Sequence, residues 1–397
     1  MPEPPRTFVP AGRSRDRRRE RGVALLLVMM VVVLVMIVVT ALSFSAQVDL
    51  RVSTNELDGF SVHYAIRGAL HAARFLLKED GGENSHDGLL DKWAEPEQWL
   101  ELDFGEDIRL KIDVVDESRK FNLYWLLKGT HTEQQHARDR LISILDVMRE
   151  DTAGDLTPAE AADLAARIAD YIKVRRAGKS KEYEGILLPP TRGNFLLSLQ
   201  ELLPFVGEFV MYDQVNDSGE KLAGLERFVT IWSDGKTNVN TADRVVLQCF
   251  FPQHERDKAE RILEAREAVS DPERNPELLK PPTLGQQKQE RFIGIQSLDD
   301  LVKADAISNK DKERLSAFLG TASQVFSVFV TARKQRIVQR HRLVIRRDKT
   351  ALVTLLSEGR TDRRIELGEE AEDPFQDDED GAEDAGASEL NRLLRGR

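Results

Sequence analysis

The amino-acid sequence predicts an α+β protein in which a long N-terminal transmembrane helix packs on a small antiparallel sheet and a large α-helical insertion interrupts that sheet. Three observations support this prediction. Residues 23–42 form an apolar run whose only polar side chain is Thr40. Strand patterns lie at both ends of the remaining chain, near residues 108–114 and 325–356. The stretch between them, 129–320, has helical spacing and helix caps without the βαβ alternation of an α/β fold.

The apolar run is long enough to cross a bilayer, because about 20 residues of helix span the ~30 Å hydrocarbon core. Seven arginines and three acids precede it, and this basic excess predicts a cytoplasmic N-terminus. A cleavable secretory signal has a shorter apolar region, typically 7–15 residues, and a small-residue cleavage site, which residues 43–46 only approach. A plain membrane anchor and a processed leader are the remaining interpretations.

The junction between the arginine-rich stub and the apolar run is informative. Arg21-Gly22 is followed at once by Val23 and a run of aliphatic residues. This junction resembles the leader junction of type IV pilin-like proteins. The resemblance implies that a prepilin peptidase cuts after Gly22 on the cytoplasmic side, and that the mature chain starts at Val23 with a methylated amine.

The fifth position after that junction departs from the common pilin pattern. Most pilin-like subunits carry Glu there, and the family pairs it with the N-terminal amine of a neighbouring subunit. Here the position is Leu27. The K-type minor pseudopilin of type II secretion is known for this lack, so the resemblance narrows to it. It implies a pseudopilin sheet, a place at the fibre tip, and I-type and J-type partners.

The segment after the apolar run continues as a helix and then turns into strands. Ile66, Ala69, Leu70, Ala73, Leu76 and Leu77 follow helical spacing, and Gly81-Gly82 is expected to end the helix. Alternation over residues 108–114 predicts a half-buried strand. Residues 117–120 read as a turn and 121–125 as the second arm of a hairpin, a pattern that resembles the same stretch of the K-type family.

Capping boxes mark helix starts in the insert at Thr157, Ser198 and Ser297. The most specific motif is the run of residues 237–242, in which Asn240 or Thr241 is expected to cap a following helix and Asn238 to bond the turn backbone. It resembles the Asn-hydrophobic-Asn-Thr-Ala signature of the K-type insert.

The same motif also resembles the opening of a helix-hairpin-helix DNA-binding module, which supplies the alternative function of a membrane-anchored, competence-like DNA-binding protein. Such modules hold a phosphate on the amides of a Gly-hydrophobic-Gly hairpin. Here residues 250–254 contain Pro252 and no glycine. We therefore expect no nucleic acid partner.

Strands are predicted over residues 325–331, 337–345 and 351–356, with a polar turn at 346–349. Basic residues crowd these strands, which indicates either a solvated sheet face or a contact surface for acidic partners. The following segment, 366–384, holds eleven acids and no base, which is typical of a disordered tail.

Neither a catalytic site nor a cofactor is expected, since the chain lacks a phosphate-binding Gly loop, a nucleophile elbow and a His/Cys zinc pattern. Members of the K-type family carry calcium on acidic loops of the insert. The stretch that corresponds here keeps Asp170 but has Lys173, Arg175 and Arg176, and such cations repel calcium. A site near Asp213 and Asp217 stays open.

Composition agrees with an exported protein that does not bind nucleic acid generally, because the 397 residues carry a net charge of −11 and a single cysteine, Cys249. The resemblance implies a single-pass inner-membrane protein with a periplasmic C-terminal domain. It also implies contact with the prepilin peptidase, the outer-membrane secretin and secreted substrates. The predicted segments are a leader (1–22), the membrane helix with the first strands (23–128), the insert (129–320), the last strands (321–365) and the acidic tail (366–397).

Overall fold

The computed structural model describes residues 16–363 except 84, 97–103, 106, 151, 153, 177–180, 184–185, 189–195, 197, 217–218, 220, 234, 271–293 and 349–350. The start of the expected leader, residues 1–15, and the acidic tail, 366–397, lie outside this part of the chain. The chain divides into two compact units, with residues up to Ser61 in the first and residues from Val62 onward in the second.

Helix α1 (Asp16–Glu83) makes up the whole described part of the first unit and continues into the second. It starts before the expected cleavage point and runs through Gly81-Gly82 to end at Glu83, one residue later than the glycine pair predicts. From Val23 to Leu57 every side chain is exposed. Thr40 does not expose an unsatisfied donor, because its Oγ1 donates to the Met36 carbonyl at 2.8 Å.

The main sheet is antiparallel and contains four strands in the order β1 (Arg109–Asp116), β10 (Val325–Lys334), β11 (Ile337–Arg347) and β12 (Leu352–Arg363). The predicted α+β class and the strands at both ends of the head are thus confirmed. β1 and β10 are neighbours, with Ile112 opposite Val330 and Val114 opposite Val328. The sheet therefore joins strands that are about 200 residues apart in sequence.

One face of the sheet packs on the last third of α1. Val62, Ile66, Ala69 and Ala73 follow the predicted helical spacing and are buried against sheet residues such as Phe326. Because β-strand side chains alternate, Val328, Val330 and Ala332 point to the same face as Phe326. This hydrophobic layer fixes α1 to the sheet within the second unit.

The insertion between β1 and β10 is built on a separate hydrophobic core. Its helices within the described residues are α2 (His131–Val147), α3 (Pro158–Arg176), α4 (Leu203–Val206), α5 (Glu208–Met211), α6 (Arg244–Gln248), α7 (Asp257–Ser270), α8 (Leu298–Lys303) and α9 (Asn309–Leu315). Short strands accompany them: β2 (Phe121–Asn122), β3 (Lys181–Tyr183), β4 (Ile186–Leu188), β5 (Gln214–Val215), β6 (Lys221–Leu222), β7 (Val229–Thr230), β8 (Thr237–Asn238) and β9 (Leu319–Gly320).

The expected hairpin after β1 is wrong. Glu117–Arg119 forms one turn of 3-10 helix, and β2 then pairs in parallel with β7 instead of antiparallel with β1. Phe121 and Leu123 are 1% exposed and belong to the core of the insert, so their apolar side chains draw this segment away from the sheet. The insertion therefore begins directly after β1.

Predicted caps are present at the starts of two helices and of one 3-10 turn. Thr157 and Glu160 bond each other's backbone at the start of α3, and Ser297 with Asp300 does the same for α8. Ser198 accepts from the Gln200 amide and caps a 3-10 turn. Residues 170–176, the counterpart of the family's calcium-carrying loop, form the last part of α3.

Candidate functional site

The first candidate surface is the exposed apolar part of α1. The helix over Val23–Gly82 is long and apolar enough to cross a membrane, with a mean hydropathy of 3.3 in its most apolar window. An exposed apolar surface of this extent requires lipid or other apolar helices to cover it. Gly22 and Val23 lie within the helix, and the Leu27 side chain is exposed on its surface.

The second candidate is a buried polar junction, formed by the side chains that connect the end of β1, the 237–242 motif and the start of β10. Asp116 lies at its centre and is 2% exposed. Its Oδ2 accepts from Thr241 Oγ1 at 2.5 Å and from Ser323 Oγ at 2.6 Å, while its Oδ1 accepts from the Ser118 amide at 2.7 Å. The junction thus ties the sheet to the insert.

Asn238 connects three segments within this junction. Its Nδ2 donates to Ser323 Oγ at 2.8 Å and to the Asp87 carbonyl at 3.0 Å. Its Oδ1 accepts from the Asn240 amide at 2.9 Å, which is a bond to the turn backbone. A buried amide with all its groups bonded holds one arrangement of these segments, since any other would leave polar atoms unsatisfied.

Asn240 clamps a different segment. Its Nδ2 donates to the Ile295 carbonyl at 2.9 Å, and its Oδ1 accepts from the Ile295 amide at 2.8 Å. The expectation that Asn240 or Thr241 caps the following helix is wrong. Asp243 is the N-cap of α6, and its Oδ1 accepts from the Val245 amide at 3.1 Å. The motif residues are buried instead and hold tertiary contacts.

Burial raises the pKa of Asp116 to about 6, and the negative charge of Asp87 adds to this effect. The hydroxyls of Ser323 and Thr241 oppose it, because they stabilise the ionised carboxylate. No cation bonds Asp116 among the described residues. Its partners are neutral, so they satisfy the oxygen atoms without cancelling the charge.

Glu117, the next residue, is equally buried but has cationic neighbours. Lys120 Nζ lies 3.7 Å from Oε2, and Arg342 Nη2 lies 3.7 Å from Oε1. Thr230 Oγ1 donates to Oε2 at 2.5 Å, and Ser327 Oγ also bonds this carboxylate. Burial alone would raise the pKa of Glu117, but these neighbours together lower it below its ordinary value.

A cluster of three aspartates lies at the edge of the junction. Ligand atoms of Asp80, Asp87 and Asp91 all lie within 4.8 Å of one another, as in a metal site. Arg347 occupies this cluster, since Nη1 donates to Asp80 at 2.7 Å and Nη2 bonds Asp87. A guanidinium at this position repels calcium, so the set as it stands does not fit the ion.

Burial raises the pKa of Asp80 to about 7, with Asp91 and Asp87 adding to the effect and Arg347 opposing it. Burial likewise raises the pKa of Asp91 to about 6. Both carboxyls are therefore harder to ionise than an exposed aspartate.

Asp170 and Asp213, which the sequence suggested as possible calcium ligands, have other partners in the structure. Asp170 lies on α3 with Lys173 Nζ at 3.4 Å, as the basic composition of that stretch suggests. Asp213 accepts from the Gly224 amide at 2.7 Å and closes a turn. Asp217 lies outside the described residues.

Sequence reasoning missed the role of two arginines. Arg342 and Arg347 were grouped with the basic residues of a solvated sheet face, but each lies against buried carboxylates. Arg347 also lies 4.8 Å from the centre of the Phe326 ring. A partial signal existed at Glu117, which directly follows the apolar alternation of β1 and, once buried, requires a counter-charge.

No protein-family model and no curated protein matches the chain. Among solved structures it is similar to a chain of the GspK-GspI-GspJ complex from the type 2 secretion system of enterotoxigenic Escherichia coli. The identity is 15%, the match covers 79% of this chain and 100% of that chain, and the TM-score is 0.48. A likeness at this level assigns the chain to no family.

Proposed function

We propose that this chain is a minor pseudopilin at the tip of a type II secretion pseudopilus. In this role it is a single-pass protein of the inner membrane with a cytoplasmic N-terminus and a periplasmic head. It assembles with I-type and J-type partners and supports protein export mechanically, without catalysis. The prepilin peptidase, the outer-membrane secretin and secreted substrates are its further contacts.

The observation that carries this proposal is Leu27 five positions after Gly22 in an uninterrupted apolar helix. An unpaired carboxylate inside an apolar helix bundle costs several kcal/mol, so a Glu at this position requires a neighbouring amine. With Leu27 there is no carboxylate to bury, and therefore none to pair with the N-terminal amine of a neighbouring subunit. A subunit of this kind packs on neighbouring helices by apolar contact, but it cannot form the charge pair by which another subunit joins at this site.

The head supports the same proposal, because its insert is attached through buried and fully bonded side chains. Asp116, Asn238 and Asn240 are each no more than 2% exposed and connect segments far apart in sequence. An attachment of this kind keeps the insert at a fixed position relative to the sheet. A cap that limits fibre growth requires such rigidity.

The leader is tested by the intact mass of the chain purified from native membranes. We expect a chain that starts at Val23 with a methylated amine. Gly22→Trp is expected to retain the stub, because the peptidase site no longer fits. Gly59→Ala is the matched control, since a Cβ at Gly59 meets no atom within 4 Å. A native chain with its arginine stub intact overturns the proposal.

The partners are tested by co-purification with the neighbouring I-type and J-type subunits. We expect a detergent-stable complex whose yield falls at least tenfold with Leu27→Glu, because the new carboxylate is unpaired. Leu27→Met keeps the apolar surface and is expected to keep the complex. Equal yields from all three chains contradict the role of this position.

The alternative of a DNA-binding module rests on the 237–242 motif and on α6 and α7 after it. Its hairpin amides argue against phosphate binding, because Phe250 N donates to the Leu247 carbonyl at 3.2 Å and Phe251 N to the Gln248 carbonyl at 3.1 Å. We expect no binding of double-stranded DNA at about 50 mM salt. Binding that weakens steeply as salt rises favours this alternative instead.

A further inference from the structure

Arg149, which follows the end of α2, is a buried cation of the insert and is only 1% exposed. Main-chain carbonyls hold its guanidinium. Nε donates to Ala223 at 2.7 Å, and Nη2 donates to Phe209 at 2.6 Å and to Tyr212 at 3.4 Å. Carbonyls satisfy N–H donors, but they carry only partial charges and do not cancel the permanent positive charge of an arginine.

The third nitrogen of this guanidinium, Nη1, has no partner among the described residues. It is shielded from solvent, and no oxygen in that part of the chain accepts from it. It borders Gly154, because a Cβ at that position would lie 3.2 Å from Nη1. The N–H groups of Nη1 are therefore left for an acceptor that the described residues do not supply, although buried donors are normally bonded.

Two other arginines of the head also have a buried nitrogen without a partner among the described residues, but both lie against a carboxylate. Arg256 Nη2 is 3.2 Å from Asp146, and Arg342 Nη2 is 3.7 Å from Glu117. Arg149 has no carboxylate at ion-pair distance among the described residues. It thus combines an unsatisfied donor with an unpaired charge, and the second property distinguishes it from Arg256 and Arg342.

Asp213 compensates the charge of Arg149 only in part. Burial lowers the pKa of Arg149, and the negative charge of Asp213 opposes this effect. The Asp213 carboxylate, however, accepts from the Gly224 amide at 2.7 Å and lies 3.7 Å from Arg227 Nη1. It is also more than half exposed, so solvent screens its attraction for Arg149. A buried cation in this position is strongly destabilising unless an anion reaches it.

The guanidinium lies just below the surface. Its central carbon is 4.6 Å from the centre of the Phe209 ring, which is 53% exposed. Exposed side chains change rotamer within nanoseconds, so a small ion can pass this ring without unfolding of the insert. A Cβ at Gly154 would also lie 2.8 Å from Leu222 Cδ1, so the surroundings of Nη1 are narrow. Narrow surroundings and a single positive charge match a small monovalent anion.

We infer that Arg149 binds a small monovalent anion at Nη1, beside Gly154. Chloride and formate share the required size and charge. The bound anion neutralises the guanidinium and thereby fixes the segment 209–223, whose carbonyls hold the other two nitrogens, to the end of α2. This inference goes beyond the proposed function and does not depend on it.

Thermal unfolding of the full chain in detergent, followed by tryptophan fluorescence, tests this inference. Sodium chloride, sodium formate and sodium gluconate are compared at about 0.15 M, where general screening is the same for all three salts. The melting temperature should be at least about 3 °C higher in chloride or formate than in gluconate, whose anion is too large for the site. Which of the two small anions stabilises, or whether both do, identifies the ligand. A difference below about 1 °C for both small anions overturns the inference.

Two variants separate this site from a general effect of salt. Arg149→Met removes the guanidinium and keeps an apolar stem, so the difference between salts should fall below about 1 °C. Arg256→Met is the matched control, because Arg256 also has a buried nitrogen without a partner but is paired with Asp146. Its difference between salts should equal that of the unaltered chain, whatever stability it loses. Equal differences in the two variants overturn the inference.

Bromide locates the anion without any substitution, so a failure of Arg149→Met to fold leaves the inference testable. Crystals of the full chain in detergent, grown in about 0.15 M sodium bromide, should show an anomalous peak beside Arg149 Nη1. The absence of a peak at this position, or peaks only at exposed basic side chains, overturns the inference.

Discussion

Asp116 and Glu117 are adjacent in sequence and almost equally buried, yet they have different electrostatic surroundings. Hydroxyl and amide groups bond Asp116, whereas Lys120 and Arg342 lie close to Glu117. As a result the pKa of Asp116 is raised to about 6 and that of Glu117 is lowered. Burial is the same in both cases, so the charge of the partners decides which carboxylate stays ionised.

The largest loss of stability is expected where a single cation neutralises two buried carboxylates. Arg347→Met should lower the free energy of unfolding by about 3–5 kcal/mol at pH 8, because it leaves Asp80 and Asp87 buried without a counter-charge. Urea unfolding followed by tryptophan fluorescence measures this change. Arg346→Met on the same strand removes only an exposed contact to Asp348 and should cost less than about 0.5 kcal/mol. Similar losses for both variants would remove the distinction between buried and exposed arginines.

Glu117→Gln tests the ionised member of the pair. We expect a loss of about 2–3 kcal/mol, because hydrogen bonds to a charged group are stronger than neutral ones and two cations lose their partner. Glu358→Gln is the control, since Glu358 is 58% exposed on its side chain and lies 4.0 Å from Arg342. Its expected cost is below about 1 kcal/mol. An unchanged free energy of unfolding for Glu117→Gln would show that Lys120 and Arg342 do not need this carboxylate.

Asp116→Asn tests the other member and should cost less, about 1 kcal/mol at pH 7.5, because the neutral partners can bond an amide. The folded pKa of Asp116 lies above its ordinary value of 3.8, so the folded state holds the proton more tightly. Its contribution to stability is complete below about pH 4 and is lost as pH rises through about 6. The unfolding free energy should therefore fall between pH 5 and pH 7.5, and less so in the variant. Asp80 and Asp91, whose pKa values are also raised, add to the fall in the same direction.

Asp243→Ala gives the smallest effect, about 0.5 kcal/mol, since it removes the half-buried cap of a helix of only five residues, Arg244–Gln248. Asp243→Asn keeps an oxygen acceptor at the N-cap and should be nearly neutral. Chemical denaturation of the two variants side by side measures this difference. A larger loss of stability for Asp243→Ala than for Asp116→Asn would reverse the expected order, in which the buried polar contact of Asp116 matters more than the helix cap.

The sequence was a good guide where periodicity alone decides the structure. The apolar run, the spacing of Ile66, Ala69 and Ala73, and the strands near residues 109 and 325 are local patterns that predict helix or strand directly. The predicted caps at Thr157 and Ser297 are equally local, because a capping box involves residues only three apart.

The sequence was a poor guide where distant segments decide the structure. Phe121 pairs with Val229, and Asn240 bonds Ile295, and neither partner can be identified from local spacing. Arg347 resembles any other arginine in a basic strand, and only the fold brings Asp80 and Asp87 to it. Long-range polar contacts of this kind have no periodic signature, so the polar junction as a whole could not be predicted.

The position of the insertion has a consequence for how the protein is made. β1 ends at Asp116, but its partner β10 is complete only at Lys334, so the sheet cannot close until most of the chain has been synthesised. Until then β1 has an open edge and the apolar face of α1 is uncovered, which favours aggregation during a slow, high-contact-order folding reaction. The insert can fold first on its own core. Folding of this head therefore depends on protection of its earliest strand, and a chaperone that holds β1 should raise the yield of native protein.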